Sequence, residues 1–128
     1  MEAPSVVETG LVGGTVVEVC RVEDLAAGEV RRLEVTPPLA LFNVEGVLYA
    51  IDDTCTHSQA SLSDGDVDPD KCTVECPFHL AQFDLRTGKA RLPASKPVRT
   101  HTVEIRDGTI TVLVGVVPAV PGTPIQHA

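Results

Sequence analysis

The chain contains 128 residues and has a formal net charge of -8, from 10 basic and 18 acidic side chains. Hydrophobic residues make up 43% and charged residues 22%, which indicates one globular domain with a core and not a disordered or fibrous chain. Aromatic residues account for only 3%, and the acidic balance repels phosphate backbones, so nucleic acid is not expected as a partner.

The predicted secondary structure is β-strand almost throughout, with one short helical turn at residues 23–27. Two turn dipeptides, Glu45-Gly46 and Asp107-Gly108, each separate two apolar strand patterns and predict β-hairpins. The strands are predicted, in chain order, at residues 16–19, 30–35, 39–43, 47–51, 100–106 and 109–114. Many short strands with regular turns predict an all-β fold, a barrel or a sandwich.

Residues 52–93 differ from the rest of the predicted domain, which spans residues 1–117. Their apolar periodicity is weak, and Cys, His, Asp, Gly and Pro accumulate there. We expect a loop-rich insert that something other than a large apolar core holds together. Residues 118–128 contain three prolines without periodicity and predict a mobile tail, and the first ten residues are expected to be loose as well.

Two short motifs in this insert each combine a cysteine with a histidine. They are Cys55-Thr56-His57 and Cys76-Pro77-Phe78-His79. Thiolates together with imidazoles bind either zinc or an iron–sulfur cluster. In a classical zinc finger the two cysteine ligands lie close together in the sequence and the histidines follow later, whereas here each motif contains one Cys and one His. That division suits a dinuclear site in which one iron takes both thiolates and the other takes both imidazoles.

The segment from Cys55 to Lys89 resembles the cluster-binding region of Rieske-type [2Fe–2S] ferredoxins, the small carriers of bacterial aromatic-ring dioxygenase systems. The likeness includes ASLSDG at 60–65, ECP at 75–77, QFD at 82–84 and RTGK at 86–89, and with the flanking strands it spans residues 16–114. Two features depart from the family pattern. The loop near residues 68–70 is slightly longer, and Leu80 stands where a small residue is common.

The resemblance implies the Rieske fold, with an antiparallel β-barrel or sandwich base and a small cluster-binding subdomain at residues 52–93. It implies one [2Fe–2S] cluster per chain. Cys55 and Cys76 would bind the buried iron, while His57 and His79 would bind the outer iron through Nδ1.

In function, the resemblance implies a soluble one-electron carrier that is not itself an enzyme, and most such carriers are monomers. It would accept electrons from a flavin-containing NAD(P)H reductase and pass them to a terminal Rieske non-haem iron oxygenase. Two alternatives stay open. The chain could be a small subunit of a larger oxidoreductase such as nitrite reductase, or a zinc-stabilised interaction module.

The resemblance also predicts a low reduction potential. High-potential Rieske proteins carry an additional cysteine in each loop, and a serine and a tyrosine that hydrogen-bond to cluster sulfur. The corresponding residues here can neither form that disulfide nor donate a side-chain hydrogen bond; they are Ala60, Phe78, Ala81 and Phe83. Because such donors stabilise the more negative reduced state, their loss predicts a midpoint of about -150 mV.

A docking surface is predicted around the outer histidines. Phe78, Leu80, Pro77 and residues 58–59 would form a small apolar patch with an acidic rim. Electron-transfer complexes use small interfaces because the carrier must leave quickly.

The sequence shows no membrane or targeting segment. No stretch approaches the roughly 18 apolar residues of a membrane span, and the first residues lack the features of a signal peptide, so we expect a cytoplasmic chain without a membrane partner.

The two cysteines outside the motifs have simpler interpretations. Disulfides are not expected in the reducing cytoplasm. Cys20 is interpreted as a buried strand thiol, and Cys72, four residues before Cys76, as a packing or surface thiol rather than a ligand.

The other histidines and an acidic run are interpreted as solvated. His101 lies in a predicted strand, and His127 lies in the predicted tail. Aspartates alternate at positions 64, 66, 68 and 70, but they lack the register and closing Glu of an EF-hand, so a solvated turn is expected.

Overall fold

Antiparallel β-strands form nearly all of the regular structure, as the sequence predicts. The computed structural model describes residues 5–8, 15–78, 80–92, 94 and 96–125. Within these residues the strands are β1 (Ser5–Glu8), β2 (Thr15–Arg21), β3 (Val30–Leu33), β4 (Leu39–Val44), β5 (Val47–Asp52), β6 (Asp66–Asp68), β7 (Thr73–Glu75), β8 (Gln82–Asp84), β9 (Ala90–Arg91), β10 (Thr100–Arg106), β11 (Thr109–Val114) and β12 (Thr123–Pro124). Single 3-10 turns lie at Val22–Asp24 and Leu62–Asp64.

The larger of the two sheets curls because β10 changes its partner. The strand order is β1-β2-β11-β10-β5-β4-β3, with β12 also paired to β5. Thr100 and His101 pair with β5, whereas Thr102–Arg106 pairs with β11. The curled sheet encloses an apolar core formed by Val17, Leu25, Leu33, Leu39, Leu41, Leu48, Ala50, Val103, Ile110 and Val112. This base confirms the prediction of an all-β barrel or sandwich.

Both predicted hairpin turns are present and use left-handed backbone. Glu45 and Gly46 have φ of 53° and 90°, and Asp107 and Gly108 have φ of 50° and 76°. Successive left-handed residues match the twist of the flanking strands, which is why turns of this kind favour glycine. At Gly108 an added Cβ would also lie 2.5 Å from the exposed Arg21 guanidinium, which would have to move aside.

Strand β4 is buried on both faces and joins the base to the second sheet. Leu39 and Leu41 belong to the core of the base, whereas Ala40 and Phe42 face the other side. There they meet the smaller sheet, whose strand order is β6-β7-β8-β9. The second core includes Cys55, Ala60, Leu62, Cys72, Val74, Cys76, Ala81, Phe83, Leu85, Ala94 and Val98. The insert therefore has an apolar core, contrary to the expectation from its weak periodicity.

Strand pairing continues into both ends of the chain. β1 pairs with β2 from Ser5 to Glu8, within the segment expected to be loose. β12 pairs with Leu48 and Val47, on the part of the β5 edge that β10 leaves uncovered, so it satisfies backbone groups of an otherwise open edge. Thr123 Oγ1 also donates to Val103 O at 2.6 Å. The mobility expected of residues 118–128 stays a prediction, and His127 lies outside the described residues.

Candidate metal centre

The first motif forms a loop that begins where β5 ends. Cys55 is 3% exposed and belongs to the second core. Its N–H donates to Ala60 O at 3.0 Å and closes the loop. The Leu62 N–H donates to Asp53 O at 2.7 Å, which ties the far end of the loop back to its start. Cys55 is thereby held on the inner side of a short closed loop.

The second motif follows β7 and closes in the same manner. Cys76 is fully buried, and its N–H donates to Ala81 O at 2.7 Å. In both loops the cysteine N–H bonds to the carbonyl five residues later. Leu80 N–H also donates to Cys76 O at 3.2 Å, and Leu80 has a left-handed φ of 60°. The tight turn between Cys76 and Ala81 imposes this conformation on a residue other than glycine.

The donor groups have the polarity that a mixed-ligand centre requires. The thiols of Cys55 and Cys76 lie in the apolar core, and His57 is exposed on the first loop. None of the chain's four cysteines, all of which are described, forms a disulfide. Buried soft ligands with an accessible imidazole fit an iron–sulfur cluster whose outer metal faces solvent.

Of the four predicted ligands, the structure describes three, and His79 lies outside the described residues. Ser58 Oγ of the first loop lies 3.4 Å from Cys76 Sγ of the second, so the two motifs meet at the cysteine side. Within the described residues no three Cys, His, Asp or Glu side chains gather as a metal-binding group. The complete set of Cys55, His57, Cys76 and His79 therefore stays a prediction.

A buried carboxylate, which the sequence analysis did not single out, anchors the first loop. Asp53 is 1% exposed and accepts hydrogen bonds from Ser61 Oγ at 2.6 Å and from the Ser63 N–H at 2.9 Å. Arg32 Nε lies 3.5 Å from the same carboxylate and balances its charge. The sequence gives only a weak indication of the Asp53 anchor: an aspartate two residues before Cys55, followed by the two serines of ASLSDG.

Two glycines of the family-like motifs are required by close backbone approach. A Cβ at Gly65 would lie 2.2 Å from Glu75 O, and one at Gly88 would lie 2.1 Å from Val98 O. Gly88 also has a φ of +78°, in a turn where its N–H donates to Asp84 O at 2.7 Å. The SDG and RTGK segments thus hold strands of the second sheet against their neighbours.

A third segment, of which Leu92, Ala94 and residues 96–98 are described, contacts the first loop at Lys96. Thr56 Oγ1 donates to Lys96 O at 2.6 Å, and the Val98 N–H donates to Gly88 O at 3.0 Å. Leu92 in this segment is 84% exposed. The segment therefore forms part of the surface around the two motifs, which the sequence analysis did not include.

The surface near the motifs is apolar, and the chain segment that follows the second motif is rich in cations. Phe78 and Leu80 are 70% and 64% exposed, as expected of a docking patch. Residues 85–103 contain no acidic side chain and carry five cations, all exposed: Arg86, Lys89, Arg91, Lys96 and Arg99. Two of these cations have carboxylate partners, at Asp84 and Asp52. The acidic rim expected around the docking patch stays a prediction.

Cys72 lies at the opposite end of β7 from Cys76, and its thiol contacts Tyr49. A strand rise of about 3.3 Å per residue allows the two Cα atoms to lie up to about 13 Å apart. Burial raises the pKa of the Cys72 thiol, and a hydrogen bond with Tyr49 opposes that shift. Burial and the same hydrogen bond raise the pKa of Tyr49 to about 12. Cys72 is a protonated packing thiol, as predicted.

His101 is not solvated, contrary to the prediction. It is 2% exposed, and its Nε2 lies 2.9 Å from Asp52 Oδ1. The N–H of Gly115 donates to Nδ1 at 2.8 Å. The acidic run forms a turn only at its end, where Asp68 Oδ1 accepts from the N–H groups of residues 70 and 71; Asp64 lies in a 3-10 turn and Asp66–Asp68 forms β6, contrary to the expected turn.

Comparison with known proteins matches this geometry to one family. Residues 15–102 match the family model of the Rieske [2Fe-2S] domain. The 3-phenylpropionate/cinnamic acid dioxygenase ferredoxin subunit of Photorhabdus laumondii is 50% identical over 75% of this chain and 91% of its own length.

Solved structures give the same result. A structure described as a complex of reduced oxygenase and oxidized ferredoxin in carbazole 1,9a-dioxygenase contains a chain with TM-score 0.72 and 38% identity, over 77% of this chain and 92% of that one. The Sphingomonas yanoikuyae B1 ferredoxin has TM-score 0.68 and 37% identity, over 75% and 95% of the two chains.

An all-β fold with paired loops that carry buried thiols and an accessible imidazole defines a metal–thiolate protein. The chain belongs to the Rieske [2Fe–2S] domain family. Its cofactor is a [2Fe–2S] cluster, and its relatives identify it as a ferredoxin, an electron-transfer component rather than a catalytic enzyme. Among the described residues, no helix is long and apolar enough to cross a membrane.

Proposed function

We propose that this ferredoxin carries single electrons from a flavin-containing NAD(P)H reductase to a Rieske non-haem iron oxygenase that acts on an aromatic acid. The proposal depends above all on the polarity of the centre, with Cys55 and Cys76 inside and His57 at the surface. The name of a relative supports the substrate class, because the protein at 50% identity is the ferredoxin subunit of a 3-phenylpropionate/cinnamic acid dioxygenase.

Four side chains would hold the cluster in this proposal. Cys55 and Cys76 would supply the buried thiolates, and the exposed His57 together with His79 would supply the imidazoles. When bound, the cluster accepts and returns one electron. The apolar core around the two thiols excludes water, and the exposed imidazole of His57 keeps the path to a partner short.

The docking surface would combine exposed apolar side chains with the basic segment. Phe78, Leu80 and Leu92 present apolar area on either side of the loops, and Lys96 lies beside the first loop through its contact with Thr56. Lys and Arg at the edge of a weak interface increase the association rate with an acidic partner surface and lose that effect at high salt. The partner face is therefore proposed to be acidic opposite Lys96.

The potential is proposed to lie near the low end of the Rieske range. Ala60, Ala81 and Phe83 are buried and offer no side-chain donor to sulfur. We also propose that the chain works in the cytoplasm, because its four cysteines are thiols and not disulfides, and that it is a monomer, as most small carriers of this kind are.

The test combines metal analysis with reconstitution. The purified protein should contain two irons and two sulfides per chain, bleach on dithionite treatment, and then give an EPR signal that averages below that of an all-cysteine ferredoxin. With a flavin reductase, NADH and a phenylpropionate oxygenase, it should support product formation that stops when the ferredoxin is omitted. A colourless zinc protein would overturn the carrier, and stable co-purification with a large catalytic subunit would favour the small-subunit alternative.

A further inference from the structure

The hydroxyl of Ser58 lies against one of the proposed ligands. Ser58 Oγ is 3.4 Å from Cys76 Sγ, although the two residues belong to different loops. Ser58 is partly buried, and Cys76 is fully buried. The contact therefore lies at the boundary between the apolar core and the surface, where solvent competes little for the hydroxyl.

We infer that Ser58 raises the reduction potential of the centre through a hydrogen bond to Cys76, an inference that rests on the proposed function. A metal-bound cysteine is a thiolate and has no proton, so of the two side chains only the Ser58 hydroxyl can donate. Hydrogen bonds to charged acceptors are stronger than those to neutral ones. Reduction adds one negative charge to the centre, so the bond stabilises the reduced state more than the oxidised state.

This donor lies outside the positions from which a low potential was predicted. Residues 60, 78, 81 and 83 have no side chain that can donate a hydrogen bond. Ser58 lies on the loop of Cys55, and its hydroxyl reaches Cys76 on the second loop. The potential should accordingly be higher than that of the same centre without the hydroxyl. Ser58 acts through Cys76 and is a positioning residue in this sense.

A purely structural role predicts a different result. If the hydroxyl only joined the two loops, its removal would lower stability and hasten cluster loss, but the surviving clusters would keep their potential. A hydrogen bond to the thiolate instead changes both the potential and the vibration of the bond between iron and Cys76. These two readouts separate the roles without any partner protein.

The experiment compares the unaltered holoprotein with Ser58→Ala, Ser58→Thr and Ser63→Ala. Midpoints are measured by EPR-monitored redox titration, and iron–sulfur stretches by resonance Raman spectroscopy. Ser63→Ala is the matched control, because it removes a hydroxyl of the same loop whose partner is Ser61 Oγ at 2.7 Å and not a cysteine.

We expect Ser58→Ala to lower the midpoint by about 59 mV, which is a tenfold weaker reduction equilibrium for a one-electron couple. Ser58→Thr, which keeps a hydroxyl, should recover most of this change, and Ser63→Ala should leave the midpoint unaltered. The alanine variant should also shift an iron–cysteine stretch that the threonine variant restores.

A change in Ser58→Ala smaller than twofold, about 18 mV by the same conversion, would overturn the inference while the carrier function stands. So would an equal change in Ser63→Ala. If Ser58→Ala and Ser58→Gly both fail to retain the cluster while Ser63→Ala retains it, the hydroxyl is structural and the tuning role is wrong. An unaltered chain without any cluster would overturn the proposed function itself.

Discussion

His101 Nε2 lies 2.9 Å from Asp52 Oδ1, and this pair of a buried imidazole and a partly buried carboxylate connects β10 to the end of β5, three residues before Cys55. The Gly115 N–H donates to the other ring nitrogen, so Nδ1 accepts and Nε2 must carry the proton that reaches Asp52. Arg99 adds a two-point ion pair to the same carboxylate, at 2.9 and 3.1 Å. Asp52 thus ties the end of β5, where the first loop begins, to His101 and Arg99 through polar contacts.

Asp52 should make the protein more stable at neutral pH than in acid. Burial raises the pKa of Asp52, but hydrogen bonds from His101 and Arg99 outweigh it and lower the pKa overall from its ordinary 3.8. A group with a lowered folded pKa contributes stability above its unfolded pKa and loses it as the pH falls through the folded value. Because Asn keeps one acceptor oxygen, Asp52→Asn should cost about 1–2 kcal/mol at pH 7.

Urea unfolding of the holoprotein followed from pH 7 to well below the ordinary aspartate pKa of 3.8 tests this expectation. The difference between the unaltered chain and Asp52→Asn should shrink toward the acid end. Glu104→Gln is the control, because it removes an exposed carboxylate paired with Arg106 and should change stability by less than about 0.5 kcal/mol. A difference that is constant with pH would show that the charge of Asp52 is not its source.

Asp53 should be more important for the first loop than any exposed acid near it. Asp53→Ala leaves the Ser63 N–H and Ser61 Oγ without their acceptor and Arg32 without its partner, so we expect a loss of about 2–4 kcal/mol. Visible absorption should also decay faster at 37 °C in the variant than in the unaltered holoprotein.

The matched change is Asp64→Ala, which removes an exposed carboxylate from the same loop. Its free energy of unfolding in urea should stay within about 0.5 kcal/mol of that of the unaltered chain. Equal effects of the two variants would mean that total charge, and not the Asp53 hydrogen bonds, stabilises the loop.

The sequence predicts those features whose causes are local. Glu45-Gly46 and Asp107-Gly108 form the expected turns because the left-handed backbone is a property of the dipeptide itself. The cysteine–histidine motifs likewise carry their family signature in a few residues. His101 was misread because the strand pattern around it is polar and its partner lies 49 residues away.

Other features depend on which strands become neighbours. The short pairing of β12 is required only because β10 leaves part of the β5 edge open, which no local pattern shows. The contact between Ser58 and Cys76 and the anchor at Asp53 also need the folded loops. Burial of the insert was missed because its apolar side chains are spread over turns and two- or three-residue strands.

The four cysteines should divide into two groups by substitution. Cys76→Ser should lose most of the visible absorption, because a buried thiolate ligand is removed. Cys72→Ser, up to about 13 Å away by strand rise, should keep the spectrum and the EPR signal, at a cost of about 1 kcal/mol for a new buried hydroxyl. Iron content per chain and the visible spectrum are the measurements, and Cys20→Ser on β2 is a second control. Bleaching in Cys72→Ser would mean that a ligand is misassigned.

Leu80 should lower the stability of the fold through its left-handed backbone, while its exposed side chain contributes to the proposed docking surface. Its φ of 60° costs a leucine about 1 kcal/mol or more that glycine does not incur, and its side chain is 64% exposed, so the fold gains little from it. Leu80→Gly should therefore be as stable as the unaltered chain, or up to about 1 kcal/mol more stable, since glycine's greater unfolded-state entropy offsets part of the relief. Leu80→Ala keeps the strained backbone and should show no such gain.

Both variants remove the same apolar side chain from the proposed docking patch. Electron transfer to the oxygenase, measured by stopped-flow reoxidation, should slow by roughly tenfold in each, the effect of losing about 1.4 kcal/mol of interaction. Their midpoint potentials should equal that of the unaltered protein, because Leu80 contributes a backbone contact and no side-chain donor near Cys76. Unchanged transfer rates in both variants would remove Leu80 from the docking surface and leave its strained conformation without a functional reason.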